Sequence, residues 1–333
     1  MNRVVKTIRI TAETKGQRLD KFLVDFDMEK SRAAWQKLIK SGKVLVNGKA
    51  AKADYSLKTD DVIEILRKDI ATKRVVQIPD IKIIYEDANV IVIDKPIGVV
   101  AQRAASSDAP AVTDFLENHF PAIVKVGEDE QRSGIVHRLD KDTSGIMIAA
   151  KNQKAFEFLK DKFKNRSVEK IYTTLVYGKV EPVAGKIDFA IGRNPKSPCR
   201  QTIVRNPENS TIKSRAASTL YQTLKSSENY SLLSVELKTG RMHQIRVHMK
   251  AIGHPVVGDP KYAGSNLLKS TPELKRQFLH ASKLKITLPD GQNKTFRSDL
   301  PPDLQSFLKN HSKNHSDGMT FLFSLYTFLF SLD

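Results

Sequence analysis

Residues 134–145 read GIVHRLDKDTSG and place one acidic residue, Asp140, on a short strand-to-turn segment between Arg138 and Lys141, closed by Ser144 and Gly145. Cationic neighbours favour the ionised form of a carboxylate, which makes such an aspartate a nucleophile at neutral pH rather than an acid. That is the state covalent catalysis by aspartate requires. A lone aspartate among Lys and Arg is otherwise a solvated, charge-balanced turn. The rest of the chain decides between the two readings.

At 333 residues the chain is long enough for two domains, or one large and one small. Lys and Arg number 55 against 37 acidic residues, a net charge of +18. That excess points to a polyanionic partner, nucleic acid first and an anionic membrane surface second, though charge alone does not separate RNA from DNA. One cysteine, Cys199, excludes an intramolecular disulfide and a CxxC metal site. The eight histidines show no HExxH spacing, so no metal is expected. There is neither a GxGxxG nor a P-loop, which leaves nucleotide cofactors without support. The start, MNRVVKTIRI, lacks the apolar run of a secretory signal, and a cytoplasmic location is expected. Residues 319–332, MTFLFSLYTFLFSL, are apolar but short of the roughly 20 needed to span a bilayer. A docking helix comes first for this tail, a peripheral membrane contact second.

Two regions emerge along the chain. In the first, Leu19, Phe22, Leu23 and Phe26 recur at helical spacing; Ser31 then caps a second helix carrying Ala34, Trp35, Leu38 and Ile39. Residues 43–48, KVLVNG, read as a strand ending in an Asn-Gly turn, and 61–66, DVIEIL, as its partner. Arg18, Lys21, Arg32, Lys37, Lys40 and Lys43 make this a compact basic module over 1–68. Residues 69–79 are polar and end at Pro79, a linker. The second region, 80–310, opens with two buried strands at 83–87 and 90–94 and a breaker at Lys95-Pro96-Ile97-Gly98. Helices are expected at 110–119 and 152–165, and strands at 172–177, 231–237, 244–249 and 283–288. The order is that of an α+β domain on a mixed, largely antiparallel sheet with a central cleft, not a βαβ repeat. Residues 311–333 would be a polar linker and the apolar tail.

Three further segments give Asp140 its context. Lys170-Ile171-Tyr172 begins an alternating strand whose tyrosine can stack on a base while offering a hydroxyl. In 239–248, TGRMHQIRVH, a strand would put Gln244, Arg246 and His248 on a cleft-facing side and Ile245, Val247 and Met249 on the core side. An arginine there can pair with a carboxylate. Residues 253–262, GHPVVGDPKY, form a turn-rich loop beside the site.

HRLDKDTSG, the KxYxxLVxG tract, TGRMHQIRVH and GHPVVGDPKY, in that order from about Ile81 to Leu288, resemble the RluA/RluC/RluD family of RNA pseudouridine synthases. Residues 17–66 resemble the S4 domain, a small RNA-binding unit, with Thr59-Asp60-Asp61 in place of the usual glycine-aspartate turn. The resemblance implies an isomerase that needs no cofactor or metal. By it Asp140 is the catalytic aspartate, Tyr172 the active-site tyrosine and Arg246 the basic partner of Asp140. Leu284 is then the apolar residue beside the target base. Arg138, Leu139, His243 and Gln244 are expected at the substrate, and Arg18, Arg32, Lys37, Lys40 and Lys43 on RNA. Val100-Ala101-Gln102 departs from the histidine-proline often found after the KPxG turn. The reaction breaks the N1–C1′ bond of uridine and forms a C5–C1′ bond. Asp140 either attacks C1′ or removes the 2′ proton, and Tyr172 or water takes the proton from C5. The layout favours 23S rRNA or a pre-ribosomal particle over tRNA as partner. The rivals are a non-catalytic RNA-binding assembly factor and a kinase-like transferase suggested by HRLDKD. The latter lacks the Asp directly after Arg, a glycine-rich loop and a DFG.

Overall fold

A computed structural model describes residues 2–26, 31–68, 80–103, 109–128 and 132–313. The chain divides into two compact units, Met1–Val76 and Gln77–Asp333. The expected linker at 69–79 and all of the expected tail beyond 313 lie outside the described residues.

In the first unit β1 (Asn2–Arg9), α1 (Leu19–Phe26), α2 (Arg32–Lys40), β2 (Val44–Val46), β3 (Lys49–Ala50) and β4 (Val62–Lys68) form an antiparallel sheet in the order β1-β4-β2-β3 with two helices. The helical spacing read from sequence buries Leu19, Leu23, Trp35 and Ile39 against Val44 and Ile63. Asn47 and Gly48 both take positive φ, 52° and 73°, as a tight hairpin turn between β2 and β3 requires. Strand β1, which completes the sheet, precedes every element expected from sequence.

The second unit begins with β5 (Lys82–Glu86), β6 (Val90–Lys95), α3 (Val112–His119), β7 (Ser144–Ala150), α4 (Gln153–Lys164) and β8 (Glu169–Tyr177). Next come β9 (Ala184–Ile187), β10 (Ala190–Arg193), β11 (Gln201–Val204), β12 (Ser214–Arg215) and β13 (Thr219–Ser226). Then come β14 (Tyr230–Leu237), α5 (Gln244–Ala251), α6 (Ser265–Lys269), β15 (Leu279–Thr287), β16 (Asn293–Arg297) and α7 (Pro302–Lys313). Nine strands make one sheet in the order β5-β6-β7-β15-β8-β14-β13-β9, with β16 on β15. Only β7 and β15 run parallel, so the sheet is mixed and largely antiparallel. Strands β10, β11 and β12 form a small separate sheet. The uninterrupted apolar runs of β6 and β7 are buried throughout, as strands covered on both faces require. α4 starts where Asn152 accepts a hydrogen bond from the Ala155 N–H at 2.9 Å. α7 buries Leu304, Phe307 and Leu308 and continues to Lys313, into the segment expected to be a linker.

The two glycines that bound the opening stretch fix it to this sheet. A Cβ on Gly134 would sit 2.3 Å from the Ala150 carbonyl oxygen, and one on Gly145 would sit 2.3 Å from that of Ala281 on β15. Both adopt positive φ, 74° and 115°. The segment between them is pinned where β7 meets β15, and β8 lies beside β15 with Tyr172 opposite Ala281.

The strand expected at 244–249 is instead helix α5. The Q-I-R-V-H-M alternation imitates a strand with one wet face, but all six residues are buried. Gln244 donates to the Ser218 carbonyl and to Thr219 Oγ1, both at 2.9 Å; His248 contacts Thr219 Oγ1 at 2.9 Å and the Phe189 carbonyl at 3.0 Å. Polar and apolar residues alternate along the helix and both kinds are buried, so the alternation resembles that of a strand although the backbone is helical.

Candidate active site

A cavity of about 520 Å³ opens in the second unit, of the size that holds a small ligand. Asp140, Arg138, Leu139, Tyr172, His243, Gln244 and Arg246 all line it. Three segments far apart in sequence, at 138–140, 172 and 243–246, supply these residues.

Arg246 organises the centre. Its Nη1 donates to Asp140 Oδ2 at 2.9 Å, while Nε and Nη2 form a two-pronged pair with Asp259 at 2.7 and 2.8 Å. The Arg246 side chain is 4% exposed, Asp259 0% and Asp140 19%. Burial by itself lowers the guanidinium pKa, but the hydrogen bonds and charge of Asp259, then of Asp140, raise it above its ordinary value. Asp259 Oδ1 also accepts from the Lys261 and Tyr262 backbone N–H groups at 2.9 and 3.1 Å, so Arg246 leans on an anchored carboxylate. Among the described residues the second oxygen of Asp140, Oδ1, makes no hydrogen bond.

His243, in the left-handed region at φ 57°, starts α5 and brings Nε2 to 3.9 Å from Asp140 Oδ2. Its Nδ1 lies 2.7 Å from the Tyr262 hydroxyl, which itself accepts from the Gln201 N–H at 2.7 Å. With that oxygen already accepting, the phenol proton is placed to go to Nδ1 and the histidine proton to Nε2, facing Asp140. Burial pushes His243 down to about 4 against the opposing charge of Asp140, so the ring is neutral at pH 7. Tyr172 on β8 is buried; desolvation, then the charge of Asp140, push its phenol up, and its hydroxyl has no partner among the described residues.

Sequence reasoning placed two residues imperfectly. Leu284 is a core residue opposite Lys170 and Phe296 and does not line the cavity; Leu279, earlier on the same strand, does. Leu279 lies just before the tract HASKLKITLP, and the sequence gives no sign of which leucine meets the cavity, because that depends on how β15 passes Gly145. Gln244 lines the cavity, but its Oε1 is engaged by the Arg241 N–H and the Thr239 hydroxyl, so it braces the turn before α5. Two residues were missed. Asp259 was quoted only within a turn-rich loop. Lys95, quoted only as a breaker, is fully buried and donates to the carbonyls of Pro96, Val99 and Lys141 at 2.8 to 3.0 Å, tying the KPxG turn to the residue after Asp140. Burial pushes Lys95 down to about 7, against the pull of Asp142 and Asp140. The entrance segment at Gln102 lines the cavity, and 104–108 lie outside the described residues.

In the first unit, Arg18 and Arg32 converge on buried Asp20, at 3.1 and 2.9 Å, together with Gln36 at 2.7 Å. Burial would raise the Asp20 pKa, but hydrogen bonds from Arg18, Gln36 and Arg32 hold it well below the usual carboxylate range. Both arginines remain 43% and 48% exposed. Lys40 is exposed, Lys43 half-buried, and Lys37 lies on α2.

The family model described as RNA pseudouridylate synthase matches residues 89–251, and the S4 domain model matches 17–63. A Bacillus subtilis protein described as an uncharacterized RNA pseudouridine synthase, YlyB, is 37% identical over 92% of this chain and 99% of its own length. This chain belongs to the RNA pseudouridine synthase family. Ribosomal large subunit pseudouridine synthase D of Pseudomonas aeruginosa is 33% identical over 90% of this chain and 93% of its own. The human protein RNA pseudouridylate synthase domain containing 1 superimposes with a TM-score of 0.54 at 27% identity, covering 67% of this chain and 84% of that one. An RNA pseudouridine synthase is an isomerase acting on RNA, so the non-catalytic and kinase-like readings give way. Its RNA-binding module is the S4 domain of the first unit. Among the described residues no helix is long and apolar enough to cross a membrane, and no group of three or more His, Cys, Asp or Glu could hold a metal ion.

Proposed function

We propose that the protein isomerises uridines of large-subunit ribosomal RNA in the cytoplasm, with Asp140 as its catalytic residue. One observation carries the residue assignment: Arg246 grips one oxygen of Asp140 and leaves the other unbonded in a cavity shared with Tyr172. The substrate class is supported by relatives named for the large ribosomal subunit that match along both units, the S4 domain included.

The target uridine leaves its stack at a cost of a few kcal/mol and enters the cavity, where the ring of Tyr172 offers a stacking face. Asp140 then attacks C1′ or removes the 2′ proton, and in either route the N1–C1′ bond breaks with its electron pair on N1. The detached uracil turns; in the first route C5 attacks C1′ and displaces Asp140, and in the second C5 bonds to C1′ as Asp140 returns the proton to C2′, after which C5 loses its proton and N1 ends protonated. Nothing is oxidised. The two-pronged Arg246–Asp259 pair fixes the guanidinium, so Asp140 is held in one orientation throughout. Burial, then the charge of Asp140, push the Tyr172 phenol up, so its hydroxyl is neutral in the free protein. Tyr172 or water takes the C5 proton.

The test is tritium release from C5-labelled uridine in a 23S rRNA transcript and, separately, in bulk tRNA. Release from rRNA by the intact chain and none by Asp140→Asn is the expected result. Release only from tRNA would overturn the substrate class, and release by the Asn variant would overturn the role of Asp140.

A further inference from the structure

Arg166, Lys170 and Arg241 stand around the cavity on three different elements: just past α4, on β8 and in the turn before α5. Several other cations of the unit are paired at short range, Lys151 with Glu86 and Lys186 with Asp188 at 2.7 Å, Arg276 with Asp303 at 2.6 Å. Among the described residues these three have no carboxylate partner. Arg241 Nε is spent on the Ala216 carbonyl at 3.1 Å, and the Lys170 ammonium lies 5.8 Å from the Phe163 ring centroid. Glu236 attracts Lys170 but is itself bonded by Lys238.

Arg166 disfavours the charge of the other two. Burial first, then the charges of Arg215 and Arg166, lower the Arg241 pKa; burial, then Arg166, lower that of Lys170. Arg166 holds φ 60° in the turn after α4, a place suited to glycine or asparagine. Cations gathered without an anion weaken the free protein and are relieved when a phosphate arrives.

We infer that Arg166, Lys170 and Arg241 form a seat for a backbone phosphodiester of the single-stranded RNA segment that carries the target uridine. This rests on the reading of the cavity as the uridine site. The seat lies within the second unit and positions the strand without reading its sequence.

The experiment measures affinity for a uridine-containing single-stranded RNA oligonucleotide as a function of KCl, using the full chain with Asp140→Asn to block turnover. Adding Arg166→Gln and Arg241→Gln together should lower the slope of log K against log salt by about 0.7, the loss of one single-stranded phosphate contact. The same pair without RNA should raise the melting temperature by about 1 °C, because repulsion is relieved. Arg166→Lys with Arg241→Lys should keep the slope, as should Lys186→Gln on a remote paired cation. An unchanged slope in the Gln pair overturns the seat, and so does an equal loss in Lys186→Gln. Tritium release is read separately on the chain with Asp140 intact, so failure of the catalytic reading is distinguishable from failure of the seat.

Discussion

The two units each bury an ion network, and the networks have opposite polarity. In the first unit a buried anion, Asp20, gathers two arginines whose outer halves stay in water. In the second a buried cation, Arg246, bridges two carboxylates, one sealed and one 19% exposed. In each case the buried partner holds the group that faces outward: cations toward solvent in one unit, a carboxylate toward the cavity in the other. Charges in such networks are positioned at a desolvation cost, and the outcome depends on which partner is left accessible.

The largest break is Asp140→Asn. Asparagine still accepts from Arg246, so the fold and RNA affinity should persist, while turnover falls by about three orders of magnitude or more. Tritium release together with a filter-binding isotherm separates the two. Next comes Asp259→Ala, which removes the sealed partner and leaves Arg246 buried with Asp140 alone. Breaking a buried pair costs about 3–5 kcal/mol, to be read in urea unfolding of the second unit. Loss of activity should accompany it, since Arg246 no longer has a fixed direction.

Legibility followed the same division. α1, α2 and the Asn-Gly hairpin were readable because their signals are local: a helical period, a cap and a turn that only certain residues make. Asp140, Tyr172 and Arg246 were readable as motif members, and the fold brings them together. α5 was not, because its alternating polar and apolar residues read as a strand, and its buried Gln244, Arg246 and His248 bond to groups of the protein distant in sequence. Asp259 and Lys95 were missed for a related reason, since each works through contacts with residues distant in sequence. Leu284 tests this point directly. Leu284→Ala should cost about 2–5 kcal/mol as a core cavity and leave turnover per folded molecule unchanged. Leu279→Ala, at the cavity wall, should lower turnover.

The smallest effect sharpens the comparison most. The Asp20 carboxyl is held below its ordinary 3.8 in the folded unit, so the unfolded chain binds its proton first as pH falls. A depressed carboxylate adds stability above the unfolded value and loses it as pH drops through the folded one. At pH 7 Asp20→Asn should therefore cost about 1–2 kcal/mol, discounted because both arginines are half-exposed and screened. As pH falls below about 4 the gap between wild type and variant should narrow, because the unfolded carboxyl is then protonated while the folded one still resists protonation, and it closes only once the folded carboxyl is protonated too. Circular dichroism of the isolated first unit is not required; a fluorescence probe at Trp35, the chain's single tryptophan, reports this unit within the full protein. A gap that stayed constant down to pH 2 would mean that Asp20 acts through shape rather than charge. The two arginines would then be held by packing, and the inverted symmetry between the two networks would be geometric only.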